Sequence, residues 1–468
     1  MSKVLVISPD AVPGSGVLAA GPGIRYWQMA RSLANDYGHD VTLAVPAADF
    51  VEDNEAPCRT VAWELDNIAG LAGGYDCVVM PHVHSGLSTT YRAAADPAIP
   101  TAVDLYDPVL IENIGLQPAD AAGARSFAGY LAGVVPILKR GDYFFCANER
   151  QKYYYLGVLN TLGRINPLTY RERILEIVPF GVDHQPAAKT RTVMRGSLVA
   201  KDAKVILWFS GIYPWFDAYT LVEAMPRVIE AEPKAMLVIL GGVHPRGHAP
   251  DGEFRRTKSR AQELGLADKH ILFVDWQPYS DRADWYLESD LAVTTHKPSL
   301  ETELSHRTRV VDFLWGGLPA ITSAGDAVGE MLARRGCGET VPVGDPAALA
   351  STIVDILGDD DKRAGMSAAA KALASTELTW SVVIKPLADF CAAPRVAADR
   401  RDPALAAEIL PAVDTFEEHA RLLEKQPVQT QKAWAKAREV YKNEGISAVV
   451  GKSLRKIGRR AKPEKPNL

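Results

Sequence analysis

ETELSHRTRVVDFLWGGLP, residues 301–319, sets a charged loop ahead of an apolar helix and closes it with a glycine pair. Ser305, His306, Arg307, Thr308 and Arg309 form the loop, and Asp312 is the one acid inside the helix. After Gly316-Gly317, residues 318–322 (LPAIT) read as a short buried strand. Two guanidiniums at a helix N-terminus suit a pyrophosphate, because free backbone amides and the helix dipole favour anions there. Arginine adds planar, forked donors that match phosphate oxygens. Asp312 follows about 1.5 turns along the helix, where a carboxylate can accept hydrogen bonds from ribose hydroxyls. The competing reading is an Arg309/Asp312 surface pair at i,i+3 spacing, worth about 0.2–0.5 kcal/mol and holding no ligand.

A helix leading into a buried strand is half of a βαβ unit, and the same pattern extends in both directions. Buried strands are expected at 4–8, 41–45, 77–80, 101–103, 143–146 and 177–179, with a first helix at 25–37 ended by Gly38. After a polar connector at 185–200 the series restarts at 205–210, 236–241, 271–274, 291–295, 320–322 and 340–343. Strands alternating with helices in this way form parallel sheets covered on both faces. The expected fold is therefore α/β, with two doubly wound, Rossmann-like domains at 1–185 and 186–395. A helical extension follows at 396–468. Ligands of such sheets bind at the C-terminal ends of the strands.

At 468 residues the chain exceeds one ordinary core. With 47% hydrophobic and 23% charged residues it has a globular composition, and its net charge of −5 argues against nucleic acid as a partner. Five scattered cysteines without C-x-x-C spacing give neither a disulfide framework nor a zinc site, and favour a reducing compartment. MSKVLVISPD leads directly into a strand-like run, and no apolar run is read as long enough to span a bilayer. Cytoplasmic location is expected, with the inner membrane face as a peripheral site. Within 445–460, Ile446, Val450, Leu454 and Ile457 make one apolar stripe among Lys452, Arg455, Lys456, Arg459 and Arg460. That pattern suits an anionic membrane surface, and equally a helix packed on its own protein.

The loop after the first strand carries Gly21 and Gly23, which let backbone approach a ligand, followed by Arg25. Tyr26 occupies the position of the third glycine in G-x-G-x-x-G, so a dinucleotide enzyme is not what this loop describes. A mobile surface loop is the alternative. PHVHS (81–85) and DLYDP (104–108) end neighbouring strands, and put His82, His84, Asp104 and Asp107 where proton transfer or hydroxyl binding takes place. A metal at His82-x-His84 lacks a further ligand set, and Asp104-x-x-Asp107 also suits a turn. In the second unit, Gly211, Tyr213, Trp215 and Asp217 follow a strand, and Trp276 follows another. Their aromatic rings either wall a sugar or base, or pack under loops.

In this order and spacing the motifs resemble the retaining glycosyltransferases of the GT-B fold, family four. The resemblance runs from residue 3 to 391 through GPGIRYWQMARSLA, IVPFGVD, LWFSGIYPWFDAYTLVEAM, LVILGG, FVDWQPY, LAVTTH and HRTRVVDFLWGGLPAI. It is similar to the subgroup with an R-T-R-x-x-D helix found among bacterial surface-polysaccharide transferases. The resemblance implies a nucleotide-diphosphate sugar as co-substrate in the second domain, no metal, and a glycan or lipid-linked acceptor in the first. It assigns donor binding to Gly21, Gly23, Arg25, Gly211, Trp215, Asp217, Trp276, Arg307, Thr308, Arg309 and Asp312. The family's first acid falls at Leu304 here, so Glu301 or Glu303 is expected to replace it. The usual Arg and Lys after the second domain's first strand are also absent, and Arg307 and Arg309 supply that charge. His84 and Asp107 are the candidates for orienting sugar and acceptor. Departure of the diphosphate, stabilised by Arg25, Arg307 and Arg309, would assist removal of the acceptor proton without a strong protein base. A nucleotide-sugar epimerase of the same fold and a non-catalytic partner protein are the alternatives.

Overall fold

Every second residue of the first strand faces the same core. Val4 and Val6 pack with Val41, Leu43 and Val79, while Leu5 and Ile7 pack with Ala44, Val78 and Met80 on the opposite face. All ten of these side chains are withdrawn from solvent, at about 1.5–3 kcal/mol for each fully buried large aliphatic residue. Such two-sided burial belongs to a parallel sheet under helices. The computed structural model describes residues 1–15, 18–52, 56–82, 85–244 and 250–402.

Seven parallel strands form the first sheet: β1 (Lys3–Ile7), β2 (Asp40–Pro46), β3 (Arg59–Trp63), β4 (Cys77–Pro81), β5 (Thr101–Asp104), β6 (Tyr143–Cys146) and β7 (Leu175–Ile177). Their order is β3-β2-β1-β4-β5-β6-β7. The second sheet holds β8 (Lys204–Gly211), β9 (Ala235–Gly242), β10 (Ile271–Val274), β11 (Leu291–Thr294), β12 (Ala320–Ser323) and β13 (Gly338–Val341), ordered β10-β9-β8-β11-β12-β13. Strand order reverses between β1 and β4 in one sheet and between β8 and β11 in the other. A crevice opens beyond the strand ends at each of these points. The structure thus has two doubly wound, Rossmann-like sheets, and residues Met1–Asp402 cluster as one compact unit.

Three features differ from the sequence reading. β3 was not expected: it pairs only with β2 and is partly exposed, so RTVAW lacks a continuous apolar run. Helix Gly21–Asn35 starts four residues before Arg25, with Pro22 in its first turn, where a missing N–H costs nothing. The helices Trp380–Val383 and Lys385–Ala392, placed by the sequence in the second domain, return to the first core. There Trp380, Ile384, Leu387 and Phe390 pack with Met29, Val178 and Phe180.

Helix Ala121–Arg140 is long and apolar enough to cross a membrane by length and composition, which the sequence reading did not register because alanine and glycine dilute its apolar run. Val134, Ile137 and Leu138 near its C-terminal end are buried in the first core, while Tyr130 and Leu131 are exposed. The expected extension at 396–468 is described only as far as 402, and the basic stripe at 445–460 lies outside the described residues.

Candidate active site

A cavity of about 340 Å³ lies where the C-terminal ends of the two sheets face each other. The first sheet supplies Pro9 after β1, Pro81 and His82 at the end of β4, and Asp104, Tyr106 and Asp107 at the end of β5, with Glu112 one helical turn further on. Gly21, Pro22, Arg25 and Tyr26 line it from the first helix. The second sheet supplies Tyr213, Trp215 and Phe216 after β8, His244 after β9, and Glu301 with residues 305–309 after β11. Tyr106 bridges the two walls, its hydroxyl donating to the His306 carbonyl at 2.8 Å.

One wall carries two arginines, of which Arg307 is paired with an acid and Arg309, among the described residues, is not. Arg309 lines the cavity at the start of helix Thr308–Trp315, its guanidinium 4.1 Å from the centre of the Phe216 ring. Its Nη1 is buried with no hydrogen-bond partner. Burial first, and then the neighbouring Arg307 charge, lower its pKa to about 9. Arg307 is held fork to fork by Glu301, Nη1 to Oε1 at 3.0 Å and Nη2 to Oε2 at 2.9 Å. Behind them, burial and the two arginines hold His296 well below the ordinary histidine range. A buried cation with free donors is costly unless an anion completes it.

The opposite wall carries acids. Asp107 and Glu112 accept no side-chain hydrogen bond and form no ion pair with the described residues. Burial, the Asp104 charge and Glu301 push Asp107 up to about 7, against the opposing pull of Arg25 and Arg307. Burial, Asp107 and Glu301 push Glu112 up to about 8. These carboxyls titrate together as one system. Both ring nitrogens of His306 are also buried without partners, and burial lowers its pKa to about 3. A neutral imidazole offers one donor and one acceptor, which matches a sugar hydroxyl.

The structure sorts the residues singled out from the sequence. Gly21, Arg25, Asp107, Trp215, Glu301, Arg307, Thr308 and Arg309 line the cavity. Arg25, however, is not a free cation. Its Nε and Nη2 bind Asp104 at 2.7 and 3.1 Å, and its remaining bonds go to the Val178 and Pro179 carbonyls at 2.8 and 3.0 Å. Gly23 lies against Ala11, where an added Cβ would come 1.7 Å from the Ala11 carbonyl oxygen, so its role is close packing of helix on loop. Gly211 similarly makes room for the Tyr213 ring, 2.2 Å from where its Cβ would be.

Asp217 caps helix Ala218–Ala231, accepting from the Thr220 amide at 3.2 Å and hydroxyl at 2.6 Å. The Trp276 indole donates to the Val243 carbonyl, away from the cavity wall. Glu303 points to solvent, while its carbonyl accepts from Arg150 at 3.0 Å. Asp312 faces Arg282 at 3.6 Å rather than the cavity, and burial lifts it to about 6. His84 lies outside the described residues. Among the described residues, no three His, Cys, Asp or Glu side chains gather as metal ligands.

With this geometry in place, the family match is informative: residues 203–359, from β8 to the end of helix Pro346–Gly358, match the family described as Glycosyl transferases group 1. The second sheet and its helices are thus similar to a glycosyltransferase domain. The chain is 25% identical over 370 residues to D-inositol 3-phosphate glycosyltransferase of Xylanimonas cellulosilytica, covering 75% of this chain and 81% of that relative. Among solved structures it is similar to sucrose-phosphate synthase from Thermosynechococcus elongatus. The TM-score is 0.62 at 16% identity, over 83% of this chain and 98% of that one. HepE of Anabaena, solved in complex with UDP and glucose, gives a TM-score of 0.59 at 15% identity, over 84% of this chain and 100% of the other. The fold is GT-B, and the glycosyltransferase is a transferase enzyme.

Glu112 is the residue of this glycosyltransferase site that the sequence reading missed. The available signal was a lone acid in VLIENIGL, an apolar helix starting two residues after Asp107.

Proposed function

We propose that this glycosyltransferase moves a sugar, with retention, from a nucleotide-diphosphate sugar to a hydroxyl of a glycan or lipid-linked acceptor in bacterial surface-polysaccharide synthesis. The observation that carries the donor reading is Arg309, a half-buried cation at a helix N-terminus whose buried Nη1 has no partner in a cavity already lined by Arg307. A diphosphate supplies the missing acceptors, and its charge in the leaving group is stabilised most strongly in such a water-poor site. Trp215 and Tyr213 offer ring faces to the sugar or base. Glu301, fixed by Arg307, is the acid on the donor wall, and Asp107 faces it from the acceptor wall. The UDP bound in HepE, and the inositol phosphate named for the Xylanimonas relative, support a nucleotide donor and a polyol acceptor. Asp312 contributes to ribose binding only if Arg282 moves aside, since the two face each other now. Thermal shifts with UDP, GDP, dTDP and ADP test the donor reading, because a ligand that prefers the folded state raises its stability. Stabilisation by at least one of them supports it, and no shift with any of them contradicts it.

A further inference from the structure

We propose that Asn148 and Arg150 of the first domain are positioning residues of the donor site. With the Tyr106 hydroxyl they hold the backbone of residues 303–306 in the second domain, and so set where Arg307 and Arg309 meet the diphosphate. This rests on the donor reading above and adds that donor affinity depends on side chains outside the cavity.

Four consecutive carbonyls carry the assignment. Glu303 accepts from Arg150 Nη1 at 3.0 Å, and Leu304 and Ser305 accept from Asn148 Nδ2 at 3.2 and 3.3 Å. His306 accepts from the Tyr106 hydroxyl at 2.8 Å. All three donor side chains follow strands of the first sheet, Tyr106 after β5 and the other two after β6. Helix Leu300–Leu304 ends within this stretch, and the last carbonyls of a helix have no partner inside it. A guanidinium at that end also suits the helix dipole. Arg150 reaches further into the second domain, to the Gly325 carbonyl and to the Glu330 carboxylate at 2.6 Å.

Asn148 is placed for this role by its own helix. Its Oδ1 accepts from the Gln151 amide at 2.9 Å and caps helix Glu149–Thr161, which turns Nδ2 toward the second domain. The side chain is buried, and neither it nor Arg150 lines the cavity. The stretch they hold runs straight into Arg307, the N-cap of helix Thr308–Trp315, and then into Arg309 in its first turn. Glu301 fixes the Arg307 guanidinium from within the second domain, while the first domain fixes the backbone just before it. Donors held before a ligand arrives bind it more tightly, because less ordering is left for the binding step. Where the turn is released, apparent affinity falls with the fraction of molecules that keep it in place.

Asn148→Asp separates this role from helix capping. A carboxylate caps the helix as an amide does, but it donates nothing and sets like partial charges against two carbonyls. Arg150→Met removes the third donor from a half-buried position. Full-length wild type and both variants are titrated calorimetrically with whichever of UDP, GDP, dTDP and ADP stabilises the wild type most. Amide hydrogen exchange is followed in peptides covering 301–309. Asn148→Asp is expected to weaken nucleotide binding roughly 10-fold and Arg150→Met roughly 3-fold. Both should speed exchange across 301–309 in the ligand-free protein. A merely structural role would lower the unfolding midpoint and leave the affinity of folded protein unchanged. Wild-type Kd in both variants therefore overturns the proposal, whatever their midpoints, and so does unaltered exchange in both. If Asn148→Asp does not fold, affinity and exchange in Arg150→Met decide in the same way. Wild-type protein that binds none of the four nucleotides overturns the donor reading, and the positioning role with it.

Discussion

Glu301 meets Arg307 in a two-pronged ion pair at 3.0 and 2.9 Å, with side chains only 11% and 5% exposed. Two residues that the sequence offers as independent ligands are thus one unit, spaced six apart across the turn between two short helices. Arg307 is held in one orientation, and Glu301 presents to the cavity a carboxylate already bound by a guanidinium.

Removing one half of this pair strands the other. Glu301→Gln leaves Arg307 beside Arg309 with only Asp326, 4.0 Å from its Nε, as an anion, so the loss should fall toward the lower end of the roughly 3–5 kcal/mol that breaking a buried pair costs. Glu303→Gln, on the solvent face, should stay within about 0.5 kcal/mol of wild type. Midpoints of urea unfolding measured side by side check both values.

Arg25 gives a prediction opposite in kind. Its side chain and that of Asp104 are each 2% exposed, and together with the Val178 and Pro179 carbonyls they tie the first helix to β5 and to the segment after β7. Arg25→Met should lose about 3–5 kcal/mol of stability by leaving Asp104 buried and unpaired. The protein that remains folded should bind nucleoside diphosphate with wild-type affinity. Denaturant unfolding and calorimetric titration separate the two effects, and a large loss of affinity without a loss of stability would restore Arg25 to the donor site.

The acidic wall makes stability depend on pH. Burial and neighbouring charge lift the Glu112 pKa in the folded chain above its ordinary value of 4.5, to about 8. The folded state therefore binds more protons than the unfolded one in between, so this stabilising contribution is present at low pH and lost as pH rises. Glu112→Gln removes that dependence. Its melting temperature relative to wild type should climb from about pH 4.5 and level off past about 8. A constant offset across this range would contradict the raised value.

Much of this architecture was legible in the chain because parallel sheets bury both faces of their inner strands. Runs such as VILW and LVIL therefore stand out, as does the loop-helix-GLP pattern that follows β11. The edge strand β3, with one neighbour and a mixed composition, carries no such signal. The cleft was legible as a place, since strand ends and glycine-rich loops mark it, but the pairing of its charges was not. Arg25 is bound by an acid 79 positions away, and Asp312 faces Arg282 from an element that sequence spacing does not bring near it. Sequence shows which charges exist; only the fold decides which of them are already neutralised. Arg309 and Glu112 gain their interest from the partners they lack, a property no local pattern encodes.

The central claim is that Arg309 awaits a diphosphate, and the most direct measurement is thermal unfolding of wild type and Arg309→Met with and without UDP, GDP, dTDP and ADP. Removing a half-buried cation whose Nη1 is buried without a partner should leave the ligand-free variant at least as stable as wild type. At a concentration about 100 times its Kd, the preferred nucleotide should stabilise wild type by about 2.7 kcal/mol. The variant should lose most of that gain at the same concentration. A full shift retained by Arg309→Met, or no shift in wild type with any of the four, would contradict the account.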